Sequence, residues 1–183
     1  DNAHLLGDPI FRVTAGQSYP DVDEDEAIAW VVDALMELQG FASKFRIKVA
    51  IENHLQDPFI WENIDFAAKA EVFLRLYNEI EHSPINVSFN TATPIAMGDD
   101  PIAVLQRVVK DVIHVHAADW SKEKNDYSAA GEGDVPFDNI FTELARAGYS
   151  GHIAVVEGPA MGEDEVQRSK EFLQSKIDEY WKE

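Results

Sequence analysis

Val112-Ile113-His114-Val115-His116-Ala117-Ala118-Asp119 starts as a β-branched run and ends on imidazoles and a carboxylate. The apolar part suits a strand of a parallel sheet, which is covered on both faces. The polar finish does not suit packing, because a buried charge is costly unless it is paired or bound to a metal. His114 and His116 are two positions apart and so share one face of the strand.

Four further runs of the same kind flank this one. They are Ile10–Thr14, Ile47–Glu52, Ile85–Asn90 and Ile153–Glu157, all rich in Val and Ile. Longer amphipathic segments separate them. Asp25–Phe45 carries Ile28, Val31, Val32, Leu35 and Leu38 at a helical period, and Phe59–Ile80 repeats the pattern with Ala67, Ala70, Phe73, Leu74 and Tyr77. Pro101–Val109 has Asp100 as N-cap and proline in its first turn. Pro136–Ala147 stops at Gly148, and Asp164–Trp181 closes the chain. The result is a single domain over residues 1–183, made of five strand–helix units with parallel pairing and right-handed crossovers. The longest aperiodic stretch, Ala117–Val135, follows the fourth strand, and loops of that length are usually functional.

Two architectures accommodate five such units. An open, doubly wound five-stranded parallel sheet would be complete. An eight-unit β/α barrel would lack three units, and whole barrels need about 250 residues. Periodicity does not separate them, and length alone favours the open sheet.

Composition narrows the function classes. Lys and Arg number 15 and Asp and Glu 34, a formal net charge of −19 that repels phosphate backbones and argues against a nucleic-acid partner. With no cysteine, disulfides and thiolate metal sites are excluded. No apolar run is long enough to span a bilayer, and Asp1-Asn2-Ala3-His4 is not a signal peptide, so a cytoplasmic enzyme is the default expectation.

Both architectures place active sites at the C-terminal ends of the strands. Those ends read Ala50-Ile51-Glu52-Asn53-His54, Ser88-Phe89-Asn90-Thr91, the His114–Asp119 stretch and Val155-Val156-Glu157-Gly158-Pro159. A single strand-end Glu is usually the start of a solvated loop. Glu52 and Glu157, with His116 between them, point to a site. His114 alone suits a core histidine, and His4, His82 and His152 suit structural or exposed positions. Gly131-Glu132-Gly133 is a turn signal.

In that order, these four strand ends resemble the xylose isomerase-like β/α barrel superfamily of sugar isomerases, epimerases and dehydratases. The run Gly131-Glu132-Gly133-Asp134-Val135-Pro136-Phe137, followed by Gly148-Tyr149-Ser150-Gly151, matches the same family. The resemblance covers nearly the whole chain. It implies an incomplete (β/α)8 TIM barrel, its last five β/α units, with Ile10–Thr14 as the fourth strand. It also implies a metal-dependent sugar or sugar phosphate isomerase or epimerase that transfers a proton next to a carbonyl through an enediolate. Glu52 and Glu157 would be the catalytic pair, and Glu52, Asn90, His116 and Glu157 would ligate a divalent ion, Mn²⁺ or Mg²⁺, with Co²⁺ also suited. His54, Thr93, His114, Asp119 and Lys122 would contact the sugar.

The departures from the family pattern are Asn90 in place of Asp, Thr93 in place of His or Asn, and Ala118 in place of Lys. They leave open a non-catalytic or metal-free relative that binds a sugar-like ligand. A DNA-repair endonuclease of the same superfamily would need a basic face and more ligands. Two unclosed sheet edges, at Ile10–Thr14 and Ile153–Glu157, predict a homo-oligomer.

Overall fold

The five β-branched runs form one parallel sheet in a computed structural model that describes residues 10–55, 62–156 and 162–181. Its strands are β1 (Ile10–Val13), β2 (Lys48–Glu52), β3 (Asn86–Asn90), β4 (Val112–Ala117) and β7 (His152–Val155). The spatial order is β1-β2-β3-β4-β7, which is also their chain order, and every pairing is parallel. A doubly wound sheet reverses strand order at a switch point. This sheet has no reversal, so it is an arc of a β/α barrel, and the open-sheet alternative is set aside.

Helices cover the convex side. They are α1 (Glu24–Ala42), α2 (Ala70–Ile80), the short α3 (Ala92–Met97), α4 (Pro101–Val108), α5 (Phe137–Arg146) and α6 (Glu163–Tyr180). Val49, Ile51, Val87, Phe89 and Val115 alternate along the strands and are fully buried. They belong to one apolar cluster with Phe73, Leu76 and Ile80 of α2, Leu105 and Val108 of α4, and Ile140, Phe141 and Leu144 of α5. The intervening strand positions face the concave side and carry Arg12, Glu52, Ser88, Asn90, His114 and His116.

Several helix limits follow from local capping. Asp23 Oδ1 accepts from the N–H groups of Asp25 and Glu26 at the start of α1. Asp100 Oδ1 accepts from Ile102 N at 2.9 Å, with Pro101 in the first turn of α4. Gly148, at φ +72°, ends the turn after α5.

Three features depart from the local expectation. The helix expected over Phe59–Ile80 begins only at Ala70, whose N–H is capped by the distant Asp99 carboxylate at 2.8 Å. The start of that expected helix falls partly outside the described residues. Helix α3 was not signalled by periodicity; it starts because the Asn90 side chain accepts from its first N–H groups. The aperiodic stretch after β4 contains a hairpin, β5 (Asp119–Ser121) with β6 (Asp126–Ser128), turned through Asn125 at φ +51°.

Trp30, Met36 and Phe41 of α1 and Phe11 of β1 are exposed. A largely apolar groove of about 600 Å³ runs between α1 and the loop after β1. Among the described residues, no helix is long and apolar enough to cross a membrane.

Candidate functional site

Glu52, the last residue of β2, is wholly buried although it carries a carboxylate. Three neighbouring strands supply its partners. Asn90 Nδ2, at the end of β3, donates to Oε1 at 3.0 Å. His116 Nδ1, near the end of β4, lies 2.9 Å from the same oxygen, so its protonated nitrogen faces the carboxylate. Arg12 Nε, from the middle of β1, stands 3.0 Å from Oε2. That contact is an ion pair outside hydrogen-bond alignment, which leaves Oε2 buried without an aligned donor. Burial opposes ionisation of Glu52. The hydrogen bond and charge of His116, the Arg12 guanidinium and the Asn90 amide outweigh it and hold the carboxyl below its usual value. The Arg12 side chain is 41% exposed and that of His116 15%, so the constellation opens toward the concave side through these two groups.

Asn90 is tightly held. Its N–H donates to Asn53 Oδ1 at 2.8 Å, and its carbonyl accepts from Asn53 Nδ2 at 2.9 Å. Asn53 thus extends the β2–β3 pairing by a side chain. The Asn90 side-chain oxygen accepts from Ala92 N at 3.0 Å and Thr93 N at 3.2 Å. This fixes the direction of the amide. Turning it over would set NH₂ against two backbone donors, so the face toward Glu52 is the NH₂ group.

The other expected residues take up several positions. His114 forms an edge-to-face pair with His116 at 4.9 Å, and burial, followed by the His116 charge, lowers its pKa. His54 Nδ1 lies 2.7 Å from Oδ2 of the buried Asp65, which fixes the imidazole at the mouth of the β2 loop. Thr93 is fully buried, and its hydroxyl has no hydrogen-bond partner; the Ser88 hydroxyl is in the same state. Lys122 is exposed at the hairpin turn, and its N–H is bonded to Asp134. Glu157 lies outside the described residues.

Asp119, expected to contact the sugar, is bonded to the chain itself. It is fully buried, and both oxygens are taken by backbone donors. Oδ1 accepts from Trp120 and Val135, and Oδ2 from Gly131 and Gly133, all at 2.8–3.0 Å. It clamps the loop after β4 around itself. A Cβ on Gly133 would stand 2.7 Å from the Trp120 carbonyl oxygen and closer still to Asp119 Oδ1, so the turn needs a glycine there. The hairpin leans back over the β2 loop through Tyr127 Oη, which donates to the Leu55 carbonyl at 3.2 Å.

Sequence reasoning passed over Arg12, Asp65 and Asn53. Arg12 did leave a signal, as the one charged residue inside the first apolar run. Asp65 and Asn53 left none, since their partners are set by loop packing.

A divalent ion fits the described part of this donor set poorly. The oxygen of Asn90 is committed to backbone N–H groups, and its NH₂ cannot ligate a metal. His116 turns its protonated Nδ1 to Glu52 and keeps only Nε2 as a ligand atom. The remaining oxygen, Glu52 Oε2, has a guanidinium 3.0 Å away. Among the described residues, no group of three or more His, Cys, Asp or Glu could hold a metal.

Comparisons with known proteins agree with this architecture. The family model described as "Xylose isomerase-like TIM barrel" matches residues 1–176. The chain is 23% identical to an inosose dehydratase of Bacillus thuringiensis over 195 residues, covering 94% of this chain and 60% of the relative. It superposes on a D-tagatose 3-epimerase-like protein with a TM-score of 0.75 at 19% identity, covering 94% of this chain and 63% of the other. It also superposes on an IOLI protein with a bound zinc atom, with a TM-score of 0.75 at 17% identity, covering 96% and 65%. The chain therefore spans about 60% of the length of the curated relative it matches.

Proposed function

The chain belongs to the xylose isomerase-like TIM barrel family, and from that premise we propose that its concave face binds a small polyhydroxylated carbonyl compound and moves a proton on the carbon next to the carbonyl. The observation that carries this reading is Glu52. It is a fully buried carboxylate held ionised, with Oε1 anchored by two donors and Oε2 left without one. An ionised oxygen with no hydrogen bond to give up is free to accept a proton, while the cations that hold it ionised lower its basicity. Substrates of this class include a sugar, a sugar phosphate or a keto-cyclitol, in keeping with a dehydratase and an epimerase-like protein among the relatives.

Proton removal leaves negative charge on the substrate oxygens. Arg12 and His116 are the cationic and hydrogen-bonding groups placed to meet it. Return of the proton to the opposite face of the same carbon epimerises the substrate, and its return to the former carbonyl carbon, with an oxygen-to-oxygen proton shift, isomerises it; passing the proton to a hydroxyl β to the carbonyl lets that group leave as water and dehydrates the substrate. Glu157 would be the second proton-transfer group. His54, oriented by Asp65, and the unpartnered Thr93 hydroxyl are suited to bind substrate hydroxyls.

The shared first step suggests its own test. The full-length protein, incubated in D₂O with a panel of ketoses, their phosphates and a keto-inositol, should exchange the proton next to the carbonyl, read by NMR. Glu52→Gln should slow that exchange about 100-fold or more. Unchanged exchange in Glu52→Gln would refute the role of Glu52. A second reading, a non-catalytic sugar-binding barrel, draws support from the extent to which Glu52 is already engaged. Saturable binding without exchange in any panel member would favour it.

A further inference from the structure

The residues around Glu52 do the work of a bound cation themselves. A buried carboxylate has to be compensated, and metal-bearing sites do this with an ion held between several anionic or neutral oxygen and nitrogen ligands. Here the compensation comes from the chain. The Arg12 guanidinium lies 3.0 Å from Oε2, and His116 and the Asn90 amide donate to Oε1. We infer that this centre is metal-free, with Arg12 in the electrostatic role of a divalent ion and the amide of Asn90 as the feature that excludes one.

Asn90 decides this because its orientation is not free. A carboxylate at position 90 could cap Ala92 and Thr93 with one oxygen and offer the other toward Glu52. The amide gives its only oxygen to the cap. What faces the centre is a donor, which stabilises an ionised Glu52 and repels a cation. Arg12 adds to the repulsion, and its position is fixed by strand pairing, since Arg12 is in register with Ala50, two residues before Glu52. The inference takes from the proposed function only the location of the centre. Metal content and stability test it without any assay of turnover, so it can fail while the proton-transfer reading stands, and the reverse.

The experiment is a Mn²⁺ titration of the full chain by equilibrium dialysis and electron paramagnetic resonance, on wild type, Glu52→Gln, Asn90→Asp and the double variant. Wild type is expected to show no saturable site that Glu52→Gln removes. Asn90→Asp is expected to gain a saturable site that wild type lacks, and Asn90→Asp with Glu52→Gln to lose it again. One equivalent of Mn²⁺ on wild type, lost in Glu52→Gln, overturns the inference whatever Asn90→Asp does. Arg12 is tested separately by thermal unfolding without metal. Arg12→Met should lower Tm, and adding Glu52→Gln should recover part of the loss, because the orphaned charge is then gone. Losses that simply add would show that Arg12 does not compensate Glu52.

Discussion

Asp119→Asn replaces one oxygen by NH₂ and would pass for a conservative change, yet it should destabilise this fold strongly. Each carboxylate oxygen accepts two backbone N–H groups, Oδ1 from Trp120 and Val135 and Oδ2 from Gly131 and Gly133. Whichever way the amide turns, NH₂ meets two donors and two bonds are lost. Hydrogen bonds to a charged acceptor contribute about 1.5–3 kcal/mol each, so the gross loss is about 3–6 kcal/mol. Part of it is returned. Burial pushes the Asp119 carboxyl above its usual value despite the four backbone donors, and a neutral amide escapes that cost. The net loss is about 3 kcal/mol, equivalent to a fall in Tm of about 6–12 °C for a chain of this size. Urea unfolding followed by circular dichroism reads it as a lower midpoint at an unchanged slope. A change within about 0.5 kcal/mol, the range of an ordinary surface substitution, would refute the clamp.

Glu52 gives the stability a pH dependence of known sign. Its carboxyl is held below the usual 4.5, so its contribution is complete above that value and is lost as pH falls through the depressed one. Urea midpoints of wild type and Glu52→Gln should therefore differ at neutral pH and converge well below pH 4.5; a constant difference would contradict the pairing seen here. Gly133→Ala should cost about 1–3 kcal/mol, because the added methyl meets the Trp120 carbonyl and the Asp119 carboxylate, and a thermal melt matching wild type would show that the turn can give way. The outer strands β1 and β7 have no further partner among the described residues, and Phe11, Trp30 and Phe41 are exposed beside β1 and on α1. Light scattering on this chain should accordingly give a mass above the monomer, and a strictly monomeric species would count against edge or face association.

The sequence by itself determined the five strands of the sheet and their parallel direction, and most of the helices between them. Alternating short β-branched runs with helical periods of apolar residues is a local property, and short connections between them leave parallel pairing as the outcome. The sequence also marked the end of the sheet that holds the candidate site, since Glu52, Asn90 and His116 each close a β-branched run. Tertiary structure decided what those residues do. Glu52 and His116 are 64 positions apart, and no local pattern states which oxygen meets which nitrogen. Strand order, running in sequence without reversal, separated a barrel arc from an open sheet that the same periodicity allows. Arg12 joined the site because register places it beside Glu52, and the start of α2 was set by Asp99 from another loop. The direction of the Asn90 amide was decided in a similar way. Its oxygen is claimed by backbone N–H groups of α3, a helix too short for periodicity to reveal, and that cap turns the amide nitrogen toward the carboxylate.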